Sequence, residues 1–205
     1  MKVLLINGSP HEKGSVYTAL HEMEQVFAKE GIETELIRVG HLPIRSCIAC
    51  KNCYATGKCV FDDAVNEVAK KLEEADGMVV GSPVYFAAAN PTLSAFLTRL
   101  FYSSHADLRM KVGAAIVSAR RGGTTAAFDE LNKFFTISGM PVASSQYWNN
   151  IHGNNAEEAA QDGEGLQIMR TLASNMAFLM KSIALGKEKY GLPERETRVR
   201  TNFIR

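Results

Sequence analysis

The chain has 205 residues, 46% hydrophobic and 22% charged, a balance that suits one α/β domain with enough mass to bury a full core. Its 23 Lys and Arg stand against 22 Asp and Glu, for a formal net charge of +1, so no cationic excess marks it as a nucleic-acid binder. No run of about 18 apolar residues is present to span a membrane. The lone Lys2 before a short apolar stretch predicts no signal peptide, and hence a cytoplasmic chain with reduced cysteines.

In chain order, Lys2–Asn7 is a near-continuous apolar run, as expected of a parallel strand buried on both faces. Ser15–Glu30 carries Tyr17, Leu20, Met23, Val26 and Phe27 at helical spacing and stops at Gly31. Glu33–Val39 reads as a half-polar edge strand. A cysteine-rich loop at 46–60 follows, then a helix over Asp62–Ala75 with Asp62 or Asp63 as its cap. Gly77–Gly81 is the third strand, and Pro91–Tyr102 a helix opened by a proline. Lys111–Ser118 is the fourth strand, Thr124–Ser138 a helix and Pro141–Tyr147 the fifth strand. Gly163–Lys187 closes the series as a long amphipathic helix. The segment 190–205 is an extended basic tail with Arg195, Arg198, Arg200 and Arg205. Five strands alternating with helices predict a single three-layer, doubly wound domain over 1–205, with ligands beyond the carboxyl ends of the strands.

Three loops at those ends are unusual. Gly8-Ser9-Pro10-His11-Glu12-Lys13-Gly14-Ser15 runs into a helix N-terminus, where free amides and the helix dipole attract an anion. It is neither a Walker loop nor a G-x-G-x-x-G turn, and a simple capping loop with Ser15 as N-cap remains open. The loop from Ser82 to Pro91 sets Tyr85 and Phe86 before three alanines, which suits a flat ring packed on them. Burial in the core or a subunit interface is the alternative. In Ser118-Ala119-Arg120-Arg121-Gly122-Gly123-Thr124 the glycines allow close backbone approach, and an arginine there favours negative charge on a neighbouring ring. A surface arginine pair is the other reading. The stretch 149–155, with Trp148 beside it, either covers a ligand or forms a surface loop.

Taken together, GSPHEKGSVYT, GSPVYFAAANPTLSAFLTRL and SARRGGTTAAFDELNKFF resemble the NADPH-dependent FMN reductase group of flavodoxin-like proteins over nearly the whole chain. The resemblance implies a flavodoxin-like five-stranded parallel sheet of order 2-1-3-4-5 and FMN as cofactor. It implies a phosphate held by Ser9, His11, Ser15, Val16 and Tyr17, with Val16 offering only its backbone amide. Pro83, Val84, Tyr85 and Phe86 would border the isoalloxazine, and Ala119, Arg120, Gly122 and Gly123 would lie near its other edge.

All four cysteines, Cys47, Cys50, Cys53 and Cys59, fall in SCIACKNCYATGKC. Thiolates spaced this way can wrap one corner of an iron–sulfur cubane, with the fourth supplied by a short return loop. Zinc and free thiols stay open as alternatives. The C-x2-C-x2-C-x5-C spacing resembles the compact motif of iron–sulfur flavoproteins, which implies a [4Fe–4S] cluster near FMN. Electrons would then pass from ferredoxin or NAD(P)H to a small acceptor such as a quinone, dioxygen or peroxide. Without a cluster, the expectation is an NAD(P)H-dependent FMN, quinone or azo reductase. A flavodoxin-type electron carrier fits less well, because such carriers are strongly acidic and this chain is near neutral. No side chain is assigned as catalytic acid, base or nucleophile, since the cofactor carries the chemistry. Exposed aromatic loops predict a homodimer or homotetramer.

Overall fold

The computed structural model describes residues 1–201 and 203, so Arg205 of the basic tail lies outside the described residues. The strands are β1 (Lys2–Asn7), β2 (Glu33–Arg38), β3 (Gly77–Tyr85), β4 (Ala88–Ala89), β5 (Val112–Ala119) and β6 (Asn150–His152). The helices are α1 (Ser15–Lys29), α2 (Asn52–Thr56), α3 (Ala64–Glu74), α4 (Pro91–Ser103), α5 (Thr124–Ile137), α6 (Ala156–Ala159) and α7 (Gly163–Tyr190). Five strands pair in parallel in the order β2-β1-β3-β5-β6, while β4 folds back antiparallel on the end of β3. With that hairpin strand set aside, this is the expected 2-1-3-4-5 arrangement.

Strand alternation builds the three layers. In β1, Val3 and Leu5 face α1 and α7 together with Leu20, Phe27, Met169 and Met176. Leu4 and Ile6 face the opposite way, onto Val68 and Leu72 of α3, Phe96 of α4 and Phe135 of α5. Both faces are covered, which is why β1 and β3 read as apolar runs rather than alternating ones. Asp63, not Asp62, caps α3 by accepting from the Val65 amide at 3.1 Å.

The fifth strand is where sequence and structure part. Pro141–Tyr147 forms only one bridge, at Val142, with Gly113 as its partner in β5. The chain then leaves the sheet and rejoins it at Asn150–His152, opposite Val117–Ala119. At the excursion the single Ser145 hydroxyl proton is shared between two acceptors, the Tyr147 carbonyl and Asn149 Oδ1, each at 2.7 Å, a local alternative to the ladder. Asn149 is buried and donates from Nδ2 to the Ala115 carbonyl, anchoring the return. At the other end of the chain, Tyr190 belongs to α7, and the extended tail begins only at Gly191. No helix among the described residues is long and apolar enough to cross a membrane.

Candidate functional site

The carboxyl ends of β1, β3 and β5 open into a cleft of about 630 Å³, within the usual range for a small-molecule site. Its walls come from the three loops singled out in the sequence and from the segment 153–157, whose contribution was only loosely anticipated. Of the expected flavin-site residues, Ser9, His11, Ser15, Val16, Pro83, Val84, Tyr85, Ala119 and Arg120 line it. Tyr17, Phe86, Gly122 and Gly123 do not.

One end of the cleft is built to take an anion. Gly14, rather than Ser15, is the N-cap of α1, and Thr18 is the first amide to find a partner in the helix, at the Gly14 carbonyl. The amides of Ser15, Val16 and Tyr17 therefore stand free at the positive end of the dipole. Ser9 is buried; its amide donates to Asn7 Oδ1 at 2.8 Å, and its hydroxyl accepts from the His11 amide at 3.2 Å. The Ser15 hydroxyl donates to the Asn155 carbonyl at 2.9 Å, drawing the segment after β6 onto the same helix end. The Tyr17 ring stacks on His21 one turn along α1, with centroids 5.6 Å apart, and does not line the cleft.

The other end is an aromatic hairpin. Phe86 and Ala87, with φ of 51° and 60°, occupy the two central positions between β3 and β4. That is the backbone of a type I′ turn, which normally selects Asn-Gly because an L side chain is strained there. Phe86 is fully exposed at its tip, and Tyr85 is 40% exposed. Glu130 of α5 braces the hairpin from behind: its Oε2 accepts from the Ala89 amide and its Oε1 from the Ser94 hydroxyl, both at 2.8 Å. Gly123 explains the glycine pair opposite. It caps α5 with φ of 91°, and a Cβ there would meet Ala87 Cα at 2.9 Å.

Asn90, not anticipated from sequence, joins the two ends. It is 4% exposed, caps α4 by accepting from the Thr92 amide, and donates from its own amide to Ser82 Oγ at 2.9 Å. Nothing in the sequence separates this asparagine from an ordinary cap, because its other partners come from distant loops.

The cysteines form a second centre beside the C-terminal half of α4. Cys47, Cys50, Cys53 and Cys59 line one apolar pocket with Ile48, Val60 and Tyr102. Cys53 is buried on α2, while Cys47 and Cys50 are exposed. Ala49 and Lys51, on either side of Cys50, both have positive φ, so the chain turns sharply around that thiol at a conformational cost of about 1 kcal/mol or more per residue. Burial pushes the Cys53 thiol up, and the charges of Cys50, Cys47 and Cys59 push it the same way. A bound cation would reverse that penalty. Among the described residues no three His, Cys, Asp or Glu side chains converge tightly enough to hold a single metal ion.

Arg99, also missed in the sequence, is the most buried charge among the described residues at 1% exposure. Its guanidinium forks onto Asp63 at 2.7 and 2.9 Å, and its Nε donates to Cys59 Sγ at 3.2 Å. Burial alone lowers its affinity for a proton, yet Asp63 and Cys59 hold it above its ordinary value, so it is a permanent cation here.

Comparison with known proteins agrees with this geometry. Residues 1–155 match the family model of NADPH-dependent FMN reductases. An iron-sulfur flavoprotein of Methanocaldococcus jannaschii is 34% identical over 191 residues, covering 89% of this chain and 99% of that protein. Among solved structures, RosB with a bound riboflavin-phosphate intermediate superposes with a TM-score of 0.71 at 17% identity, covering 100% of this chain and 94% of RosB. An archaeal flavodoxin superposes with a TM-score of 0.60 at 17% identity, covering 88% of this chain and 99% of the flavodoxin. A flavodoxin-like sheet, an anion-ready helix end at its switch point and these matches lead to one conclusion: the chain belongs to the FMN-binding NADPH-dependent FMN reductase family and is a flavin-dependent oxidoreductase related to the iron–sulfur flavoproteins.

Proposed function

We propose that this protein holds FMN in the cleft and a [4Fe–4S] cluster on Cys47, Cys50, Cys53 and Cys59, and passes electrons from ferredoxin or NAD(P)H to a small acceptor such as a quinone, dioxygen or peroxide. The observation that carries the reading is the coexistence of the anion-ready cleft with four thiols lining one separate pocket. A tetrahedral zinc ion needs sulfurs roughly 3.8 Å apart around a single point, given Zn–S bonds of about 2.3 Å. An all-cysteine ligand set is also the donor chemistry of iron–sulfur clusters.

When bound, the flavin exchanges one or two electrons and the cluster one, which lets single-electron and hydride chemistry meet in one protein. The residues supply the rest. Free amides of Ser15, Val16 and Tyr17, with Ser9 beside them, would neutralise the FMN phosphate. Pro83, Val84 and Tyr85 would border one edge of the ring and Ala119 and Arg120 the other, with Arg120 favouring its negatively charged form. Phe86, strained and exposed, would meet the acceptor or a second subunit. That exposure, with Tyr147, Trp148 and Phe178 also uncovered, supports a homodimer or homotetramer. A single domain over residues 1–205 and a cytoplasmic setting complete the proposal.

The test is anaerobic single-turnover reduction of the FMN-loaded protein with reduced ferredoxin or with NAD(P)H, followed by mixing with a benzoquinone. Flavin reduction at catalytically useful rates by one of these donors, with reoxidation by quinone, is expected. A flavin inert to both donors would contradict the reading.

A further inference from the structure

We propose that Arg99 and Ser103, one helical turn apart on α4, are hydrogen-bond donors that tune the electron affinity of the cysteine pocket, whose loop Arg99 also holds in place. The assignment rests on the cluster reading above.

Arg99 reaches both ends of the cysteine segment. On the near side its Nη1 donates to the Arg45 carbonyl at 3.3 Å, just before Cys47. On the far side it holds Cys59 Sγ at 3.2 Å, the Phe61 carbonyl at 3.4 Å and both oxygens of Asp63. The Phe61 ring lies under two guanidinium groups, with Arg45 5.1 Å and Arg99 4.9 Å from its centroid. One buried side chain thus clamps the two strands of a loop that otherwise has little regular structure. The bidentate pair with Asp63 cancels the charge of Arg99 locally. What reaches the pocket is therefore a directed N–H···S hydrogen bond rather than a net positive field.

Ser103 is the second, independent observation. It is 2% exposed, lines the same pocket as the four thiols, and its hydroxyl has no hydrogen-bond partner among the described residues. A helical serine commonly bonds back to the carbonyl one turn earlier; this one does not. A buried, unused O–H beside four sulfurs is costly unless it donates to something in that pocket.

Hydrogen bonds to cluster sulfurs withdraw electron density and favour the reduced, more negative state. Arg99 and Ser103 therefore raise the reduction potential of the centre, easing one-electron entry from a donor. They are positioning and tuning residues; neither exchanges electrons itself.

The experiment compares wild type, Ser103→Ala and Arg99→Lys after anaerobic reconstitution. Iron, sulfide, melting temperature and the midpoint potential of the cluster are measured on each. S103A is expected to load as much iron as wild type, melt within a few degrees of it and titrate at a lower potential. R99K is expected to titrate lower still. Equal potentials in iron-loaded wild type and S103A, and in R99K where it folds, overturn the assignment while leaving the cluster reading intact. A lowered melting temperature without a shift in potential overturns the tuning role as well. If R99K does not fold, S103A alone decides. A wild-type chain that takes up no iron overturns both the assignment and the cluster reading.

Discussion

The Asn90 side-chain amide donates to the Gly8 carbonyl at 2.8 Å, locking the loop after β1 to the first residue before α4. Through the backbone N–H of the same residue the loop after β1 is also tied to Ser82 on β3, which links the two ends of the cleft. The side chain of Asn90 makes the link to Gly8 and its backbone N–H the link to Ser82.

Replacing Asn90 by Ala removes the cap of α4 and leaves the Gly8 carbonyl buried without its donor. A cap contributes about 1 kcal/mol and a buried hydrogen bond about as much again. Asn90→Ala should cost about 2 kcal/mol in urea unfolding of the flavin-free protein. FMN should bind about tenfold more weakly by fluorescence titration, the equivalent of about 1.4 kcal/mol lost from the site. Unchanged FMN affinity would show that the cleft is organised without Asn90.

Phe86 sits where an L residue is strained by about 1–2 kcal/mol and asparagine is tolerated. Phe86→Asn should therefore stabilise the flavin-free protein by about 1 kcal/mol, while quinone turnover of the loaded protein falls severalfold. Chemical denaturation and steady-state kinetics check the two halves separately. A variant no more stable than wild type would refute the strain.

Cys53 is the buried thiol of the four, and the cleft proposed for FMN is separate from the cysteine pocket. Cys53→Ser should abolish iron uptake on reconstitution yet leave FMN affinity within about twofold of wild type, well under the tenfold that about 1.4 kcal/mol would represent. Parallel loss of flavin and iron would mean that the two centres are structurally dependent.

Acid should weaken the fold through specific carboxylates. The Arg109 guanidinium holds Asp107 down at about 2, and hydrogen bonds from Lys2 and Lys71 lower Glu35 as well. For a carboxyl depressed in the folded state, the stabilisation is complete above its unfolded value near about pH 4 and disappears as pH falls through the folded one. The Asp107 contribution is thus lost between about pH 4 and about pH 2. Asp107 is 49% exposed on its side chain, so screening keeps its share near about 0.5 kcal/mol. Asp107→Asn should lower the melting temperature slightly at neutral pH and match wild type near pH 2, as thermal scans across that range would reveal.

The sheet was readable because both faces of β1, β3 and β5 are covered, which leaves long apolar runs in the sequence. The start of α4 was legible in Pro91, whereas α1 and α5 begin after Gly14 and Gly123, which offer no capping side chain, and Ser15 is not the cap of α1. The break in the fifth strand was not readable, since it depends on local bonds of Ser145 and on the bond of Asn149 to the distant Ala115 carbonyl, in a segment that is otherwise β-prone. Nor was the hairpin at Phe86, where the sequence lacks the glycine its turn prefers. Cleft-lining residues were legible as loops at strand ends. Asn90, Glu130 and Arg99 were not, because each works through a partner far away in the chain: Gly8, Ala89 and Asp63 respectively. In Arg99 the pattern even misleads, since an arginine in a helix normally marks its wet face.

The most direct measurement is an anaerobic absorption spectrum of the reconstituted protein with flavin, iron and acid-labile sulfide quantified on the same sample. One FMN with about four iron and about four sulfide per chain is the predicted result, the complement of a single cubane. FMN without iron would contradict the two-centre account and leave a flavin reductase whose four cysteines hold no cluster.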